Sequence, residues 1–253
     1  VGRMNVIKLL PLWEKEVKDA GMLDYITGLD FAMRFGRYPA IVKEPILEKK
    51  KEIITNIVNG YLLKDILSFE QVKNSRLILD LLKLLAYQIG NEVSINEIAN
   101  KLSINRNTVN RYLDLLEQNF IILPLYSFAK NLRNEIRKKA KYYFYDIGIR
   151  NALIENFESI DTRGDIGALW ENFLIIERFK RNIYTDPYKS VYFWRKLSGA
   201  EVDFIEVYGE KIDGYEFSFK EKTGFKSKSS WLESYNNATW INIHRGNYND
   251  FII

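Results

Sequence analysis

The sequence has 253 residues, of which 47% are hydrophobic and 28% charged, a balance typical of globular domains and not of disordered or fibrous chains. It has no cysteine and a single histidine, His244, which excludes disulfides, thiolate nucleophiles and cysteine metal sites. No stretch approaches the roughly 20 apolar residues of a membrane-spanning helix, and the start lacks a secretory signal. We therefore expect a cytoplasmic protein without membrane contact, whose chemistry comes from carboxylates, lysines, arginines and aromatic side chains.

The net charge of +4 is distributed unevenly. The window from Lys101 to Tyr142 contains nine basic and three acidic residues, which is +6, so the rest of the chain sums to −2. A basic window of this kind is typical of a surface that contacts a nucleic-acid backbone. A solvated basic surface is the alternative interpretation.

The first segment, residues 1 to about 70, is predicted to be mainly helical. Apolar residues recur along Ile46 to Phe69 with lysines and glutamates between them, which predicts one long amphipathic helix. Pro39 marks a turn before it, and nothing in this segment suggests a catalytic role.

The next segment has the pattern of a winged helix-turn-helix, in which three helices are followed by two strands. Helices are predicted over Arg76–Ile89, from Ser94, and from Asn105 to about Asn119, because each begins or ends at a suitable capping residue. Strand-like runs follow at 120–128 and 141–145.

In a winged helix, the N-terminal residues of the third helix enter the major groove of double-stranded DNA. Arginine and asparagine suit guanine and adenine edges and also contact phosphates. The alternative is a winged helix that serves only packing or protein contacts. The predicted nucleic-acid-binding residues are Asn105, Arg106, Asn107, Asn110 and Arg111 on the third helix, and Lys130, Arg133, Arg137, Lys138 and Lys139 in the wing.

From about Tyr142 the pattern changes to mixed helix and strand. An amphipathic helix is predicted over Ala168–Lys180, and strands are predicted over 191–194, 200–207 and 215–219. This order indicates an α+β domain.

Three acidic residues suggest a catalytic site in this domain. Glu171 lies on the helix, while Asp203 and Glu216 lie on successive strands, so their carboxylates are expected to converge. Asp203 and Glu216 are the candidate ligands of a Mg²⁺ ion. This layout matches the PD-(D/E)xK nuclease fold, in which a lysine two residues after the second acid assists the attacking water.

That lysine is missing, because Ser218 occupies the position two residues after Glu216. Lys220 is expected on the same strand face but two residues farther on, so it is only a displaced candidate. We therefore expect a nuclease-like fold that has lost catalysis. The alternatives are an active Mg²⁺-dependent nuclease and a solvated edge with a structural ion pair to Arg195 or Lys196. His244 is expected to be a surface or packing residue.

Several segments together resemble the C-terminal half of prokaryotic predicted AAA+-type ATPases, over nearly the whole chain. The segments are Gly2-Arg3, Leu10-Pro11-Leu12 with Glu16, Gly60 to Ile66, Ile104 to Glu117, Phe128 to Ile136, Tyr145 to Asn151, Gly167 to Phe173, Phe193-Trp194-Arg195 and Ser198 to Phe204.

The resemblance implies an ATPase domain upstream of a domain of unknown function. Residues 1 to 70 then correspond to the helical lid of that ATPase, residues 71 to 141 to a winged helix-turn-helix, and residues 142 to 253 to the nuclease-like domain. The chain has no G-x-x-x-x-G-K-[ST] phosphate-binding loop, so it is expected to be a fragment or truncated relative. Relatives show E-V-K where this chain has Glu216-Phe217-Ser218, which weakens the nuclease interpretation.

The leading hypothesis is a non-catalytic, nucleic-acid-binding or regulatory module of an AAA+-type ATPase. ATP and Mg²⁺ are expected only with an upstream ATPase domain, and Mg²⁺ at the acidic cluster only if it is active. The alternatives are a PD-(D/E)xK-type DNA nuclease and an interaction module that binds a partner protein or a second copy.

Overall fold

The computed structural model describes residues 8–22, 28–62, 75–128, 140–196 and 199–253. The five predicted wing residues (Lys130, Arg133, Arg137, Lys138 and Lys139) and the Gly2-Arg3 pair lie outside the described residues. Within the described chain the fold is mixed α+β, which agrees with the predicted fold class. It contains one two-stranded antiparallel sheet and one four-stranded mixed sheet.

The N-terminal segment consists of short helices. They are α1 (Glu14–Asp19), α2 (Leu29–Phe35), α3 (Pro39–Lys43) and α4 (Leu47–Asn56), and α4 continues into a π-helical turn, Ile57–Leu62. The part of the predicted helix Ile46–Phe69 that lies in the described residues therefore consists of α4 and this π-helical turn.

Three helices follow, α5 (Ser75–Tyr87), α6 (Ile95–Leu102) and α7 (Arg106–Gln118). Gly90, after α5, has a φ of +77°, the left-handed conformation that glycine tolerates best. Ser94 caps α6 by accepting a hydrogen bond from the Glu97 N–H at 3.4 Å. The carboxylate of Glu97 forms an ion pair with Lys101 at 2.7 Å on the helix surface. Its side chain therefore does not complete the capping box with Ser94.

Strands β1 (Ile122–Tyr126) and β2 (Ala140–Phe144) form an antiparallel pair directly after α7. Ile122 lies opposite Phe144, and Tyr126 lies opposite Ala140. An isolated bridge between Glu92 and Lys141 joins the loop before α6 to the outer side of β2. The predicted boundary between residues 141 and 142 falls inside β2.

The C-terminal part has the order helix, three strands, helix, strand. After α8 (Ile147–Leu153), its elements are α9 (Ile166–Thr185), β3 (Ser190–Arg195), β4 (Glu201–Tyr208), β5 (Lys211–Phe217), α10 (Lys226–Ser234), β6 (Ala238–Ile243) and α11 (Tyr248–Ile252). The sheet order is β3-β4-β5-β6, antiparallel except for the parallel β5–β6 pair, whose crossover connection is α10.

The two faces of this sheet are covered by different helices. Phe204 and Tyr215 pack with Trp170 and Leu174 of α9, whereas Val202 and Trp194 pack with Trp231 of α10. A third core, around Leu82, Leu116 and Phe144, joins α5 and α7 to β2. Strand β2 therefore contributes to the helical core and to the α9 side of the sheet.

Two expectations about strands change. Strand β5 runs from Lys211 to Phe217 instead of 215–219, so Lys220 lies beyond the strand end, is exposed, and shares no strand face with Glu216.

Among the described residues, none of the helices combines the length and apolar character required to cross a lipid bilayer.

Candidate functional site

Helix α7 exposes the predicted nucleic-acid-binding side chains and buries its opposite face. Asn105, Arg106, Asn107, Asn110 and Arg111 are all exposed. The buried residues are Val109, Tyr112, Leu113, Leu115 and Leu116, which recur at helical spacing. No layer of the described chain covers the polar face of its first turns.

Asn105 has a structural role in addition to its position. Its Oδ1 accepts hydrogen bonds from the Thr108 backbone N–H at 2.8 Å and from the Thr108 hydroxyl at 3.0 Å. Its side chain therefore caps α7 and fixes the direction of the first turn. Arg111 extends over the ring of Tyr112, 5.5 Å from its centroid.

A cavity of about 500 Å³ lies between α7 and the β1–β2 pair. Arg106, Asn110 and Asp114 line it on the helix, and Tyr126 and Tyr142 line it on the strands. The exposed face of α7 is thus bordered by a concave, polar surface.

The second candidate site is a cluster of carboxylates around Lys141. The Lys141 Nζ lies 3.0 Å from Glu171 Oε1 and 2.5 Å from Glu201 Oε1. Only 2% of the Lys141 side chain is exposed, so these carboxylates are its charge partners in a nearly dry environment. Burial lowers the pKa of Lys141, but Glu171, Asp203 and Glu201 outweigh it and raise the pKa above its ordinary value.

Tyr143 supports the same carboxylate from the next inward position of β2. Its hydroxyl donates to Glu171 Oε1 at 2.5 Å. Because side chains alternate along a strand, Lys141 and Tyr143 point to the same face and reach Glu171 together.

Asp203 lies where β4 departs from regular pairing. The β3–β4 register shifts between Tyr192, paired with Ile205, and Trp194, paired with Val202, which leaves one extra residue in β4 at Asp203-Phe204. Asp203 Oδ2 accepts from the Phe217 N–H at 2.7 Å. Burial, and then the charge of Glu171, raise the pKa of Asp203 well above its ordinary range.

Glu216 faces a different helix. Its neighbours Tyr215 and Phe217 pack on the α9 side, so Glu216 points to the other face, where the Ser227 hydroxyl of α10 donates to its Oε2 at 2.9 Å. Burial raises the pKa of Glu216 to about 7, although the Ser227 hydrogen bond lowers it. Glu201 and Glu216 line a cavity of about 550 Å³ with Lys222 and Lys226, whereas Lys220 does not line it.

The side chain of Asn172 on helix α9 joins this helix to strand β2 through two hydrogen bonds with the strand backbone. Asn172 Oδ1 accepts from the Phe144 N–H, and its Nδ2 donates to the Phe144 carbonyl, both at 2.9 Å. Glu171 and Asn172 therefore hold β2 at adjacent positions, which fixes where the Lys141 side chain enters the cluster.

The structure thus brings Glu171 and Asp203 together, with Glu216 nearby on the opposite sheet face, and leaves out Lys220. The proposed ion pair of these acids with Arg195 or Lys196 is replaced by Lys141, while Arg195 lies 3.4 Å from Glu92 and 3.6 Å from Glu201. Lys141 belongs to the basic window from Lys101 to Tyr142, which was interpreted as a surface, and for this residue that interpretation is wrong because its side chain is buried.

Sequence reasoning missed three other residues of the cluster, Tyr143, Glu201 and Asn172. Two of them carried a usable signal: Tyr143 lies two residues from Lys141 in a predicted strand, and Glu201 lies two residues from Asp203. Asn172 is adjacent to Glu171 in the segment Gly167 to Phe173, but only the fold shows what it contacts.

A Mg²⁺ ion, which the nuclease resemblance implies, does not fit this arrangement. An ammonium group lies against the carboxylates that the ion requires, and Asp203 and Glu216 have separate hydrogen-bond partners. In the described part of the chain, no three acidic or histidine side chains are placed to hold one metal ion.

Fold and site define a mixed α+β protein in which Lys141 of strand β2 supplies the cation of a carboxylate cluster formed by helix α9 and strand β4. Residues 26–159, more than half of the chain, match the profile described as a domain of unknown function, DUF8612, and the chain belongs to this family. Residues 166–250 match a second domain of unknown function, DUF4143.

The chain is also similar to uncharacterized proteins from several prokaryotes. It is 28% identical over 227 residues to one from Haemophilus influenzae, a match that covers 83% of this chain and 52% of that protein. It is 26% identical over 199 residues to one from Methanocaldococcus jannaschii, which covers 77% and 42%. It is 29% identical over 129 residues to one from Mycobacterium tuberculosis, which covers 50% and 28%.

The chain therefore spans about half or less of the length of these curated relatives. No solved structure matches it.

Proposed function

We propose that this chain is a nucleic-acid-binding, regulatory module of a cytoplasmic AAA+-type ATPase and that the chain itself is not catalytic. The observation that carries the proposal is the exposed N-terminal face of α7, where Arg106, Asn107, Asn110 and Arg111 project from a helix that follows α6 after a short turn. Double-stranded DNA is the proposed ligand, because cationic and amide side chains at the start of such a helix suit phosphates and base edges.

The order of elements supports the proposed architecture. Three helices followed by the β1–β2 pair have the order of a winged helix, and the series α9-β3-β4-β5-α10-β6 has the order of a PD-(D/E)xK nuclease domain. The proposal of an upstream ATPase domain rests on the resemblance to AAA+-type proteins. The relatives are longer than this chain, which is compatible with such a domain in them.

Two observations favour a non-catalytic domain over a Mg²⁺-dependent nuclease. Ser218 stands where the nuclease pattern has its lysine, and Lys141 neutralises the carboxylates that a metal requires. The side chain nearest to the missing lysine by sequence, Lys220, lies beyond the strand end.

DNA binding is tested by fluorescence anisotropy of a labelled duplex at two salt concentrations. We expect the Arg106→Ala/Arg111→Ala variant to bind at least about tenfold more weakly, and the slope of log affinity against log salt to fall by about 2, because two phosphate contacts are removed. The matched control is Arg76→Ala/Arg245→Ala, which removes the same charge from side chains that are 88% and 56% exposed.

The control variant is expected to bind like the unaltered chain. Absence of duplex binding by the unaltered chain in dilute buffer, or equal weakening by both double variants, contradicts the proposal. A stable dimer without nucleic-acid affinity, measured by sedimentation, supports the interaction-module alternative instead.

A further inference from the structure

The carboxylate cluster of Glu171, Glu201 and Asp203 has a cation that comes from the chain itself. We propose that the Lys141 ammonium group is a built-in substitute for a divalent metal ion at this cluster, so that the site is a latent cation site closed by a lysine. This inference deepens the non-catalytic half of the proposed function, which also rests on Lys141, and it does not depend on DNA binding by α7, so the two proposals fail in separate experiments.

The first argument is positional. The ammonium nitrogen lies within 3.0 Å of Glu171 and within 2.5 Å of Glu201, from two different elements, α9 and β4. A metal ion bound by the same oxygens has to lie within about 2.0–2.6 Å of them, which overlaps the volume of the ammonium group. Lysine and metal therefore exclude each other at this site.

The second argument is that Lys141 is held firmly in place. The side chain is 2% exposed, its Nζ lies over the Phe193 ring at 5.3 Å, and β2 is fixed by the two Asn172 hydrogen bonds to Phe144. Its neighbour Ala140 is also paired, because the Ala140 carbonyl accepts from the Val93 N–H at 2.9 Å. A side chain with these contacts does not withdraw to leave room for an ion.

The third argument concerns charge. Glu171 and Glu201 both approach the single positive charge of Lys141, while Asp203 Oδ2 accepts from the Phe217 N–H. By formal charge, the Glu171 and Glu201 carboxylates exceed the one ammonium group by a single negative charge. Mg²⁺ and similar ions commonly take one or two carboxylates from a protein and complete their shell with water, so Glu171 and Glu201 without the Lys141 ammonium group suit a divalent ion.

A consequence for chemistry follows from the properties of the two cations. A divalent ion lowers the pKa of a bound water and draws phosphate oxygens into its coordination shell, and an ammonium group has no coordination shell. With Lys141 in place, the cluster stabilises the contact between β2, α9 and β4 instead of activating water.

The test is a titration with Mn²⁺, in which free Mn²⁺ is followed by its paramagnetic resonance signal. The unaltered chain is expected to bind no Mn²⁺ in the submillimolar range. Lys141→Met, which has a similar length and no charge, is expected to bind one Mn²⁺ at least about tenfold more tightly, and Lys141→Arg, which keeps the charge, is expected to behave like the unaltered chain. Adding Glu171→Gln to Lys141→Met is expected to abolish that binding.

Thermal unfolding provides a second readout, because an ion that binds the folded state raises the melting temperature. Mn²⁺ is expected to raise the melting temperature of Lys141→Met, including a variant that is poorly folded without metal, and to leave the unaltered chain unchanged. Mn²⁺ binding by the unaltered chain that is lost in Asp203→Asn overturns the proposal. So does a folded Lys141→Met variant whose affinity and melting temperature do not respond to Mn²⁺.

Discussion

At the residue scale, the segment Asp146 to Asn151 has a packing role that its resemblance to a family motif does not reveal. The buried Asp146 carboxylate accepts from the Arg37 N–H at 2.7 Å and from the Ile149 N–H at 3.2 Å. Gly36 lies against this carboxylate and Gly148 lies against the Phe35 carbonyl, so the two chain segments approach too closely for a side chain at either position. A Cβ at Gly148 lies 2.1 Å from the Phe35 carbonyl oxygen.

Gly148→Ala is therefore expected to destabilise the fold, by about 1–3 kcal/mol, because the obstructing atom is backbone and cannot rotate away. The measurement is the free energy of unfolding from urea denaturation. Gly167→Ala is the matched control, since Gly167 is also the second residue of a helix and a Cβ there meets nothing within 4 Å. The control is expected to be neutral or slightly stabilising, and equal losses in both variants contradict the packing argument.

At the element scale, strand β2 depends on side chains of α9 as well as on β1. Asn172 satisfies both the N–H and the carbonyl of Phe144, the last residue of the strand, as a neighbouring strand does in a sheet. Asn172 is fully buried, so water cannot replace these hydrogen bonds.

Asn172→Ala is expected to cost about 2–4 kcal/mol of unfolding free energy, because two buried backbone groups lose their partners. Asn96→Ala, at an exposed position of α6, is the control and is expected to change stability little. Hydrogen exchange offers a local readout, in which the Phe144 amide is expected to lose protection in Asn172→Ala. Unchanged protection of that amide is inconsistent with the assigned role.

Helices and strands are the features that the sequence predicted most accurately. Helices α5, α6, α7 and α9 and strands β1 to β4 were predictable, because apolar periodicity and capping residues such as Ser94 and Asn105 are local signals. Strand β5 and the π-helical turn after α4 were not, because their ends depend on pairing with β4 and β6 and on packing.

At the scale of the whole molecule, ion pairs between two buried arginines and the half-buried Asp165 connect distant segments to the start of α9. Asp165 pairs with Arg150 at 2.5 Å and with Arg163 at 2.8 Å, and the Arg150 Nε donates to the Ala86 carbonyl of α5 at 2.9 Å. Burial alone would raise the pKa of Asp165, but the hydrogen bonds and charges of Arg163 and Arg150 lower it below its ordinary value.

Because the pKa of Asp165 is lower in the folded state, its charge stabilises the fold above the ordinary value of 3.8, and this contribution is lost as the pH falls. Asp165→Asn is expected to lose about 1–3 kcal/mol at neutral pH. Its difference from the unaltered chain is expected to shrink as the pH is lowered below 3.8. Melting temperatures measured across this range check both statements.

The control is Asp161→Asn, whose side chain is 73% exposed. It is expected to follow the unaltered chain at every pH. A difference between Asp165→Asn and the unaltered chain that grows as the pH falls reverses the predicted sign and contradicts the assignment.

The sequence by itself determined the α+β class, most helix and strand positions and the exposed face of α7, because these follow from periodicity and capping within a few residues. It also placed Glu171, Asp203 and Glu216 in one region. Only the tertiary structure decided the state of that region: Lys141, 30 residues before Glu171, belongs to the cluster and not to a basic surface. Which charges meet depends on strand register and helix packing across the chain, and no local pattern carries that information.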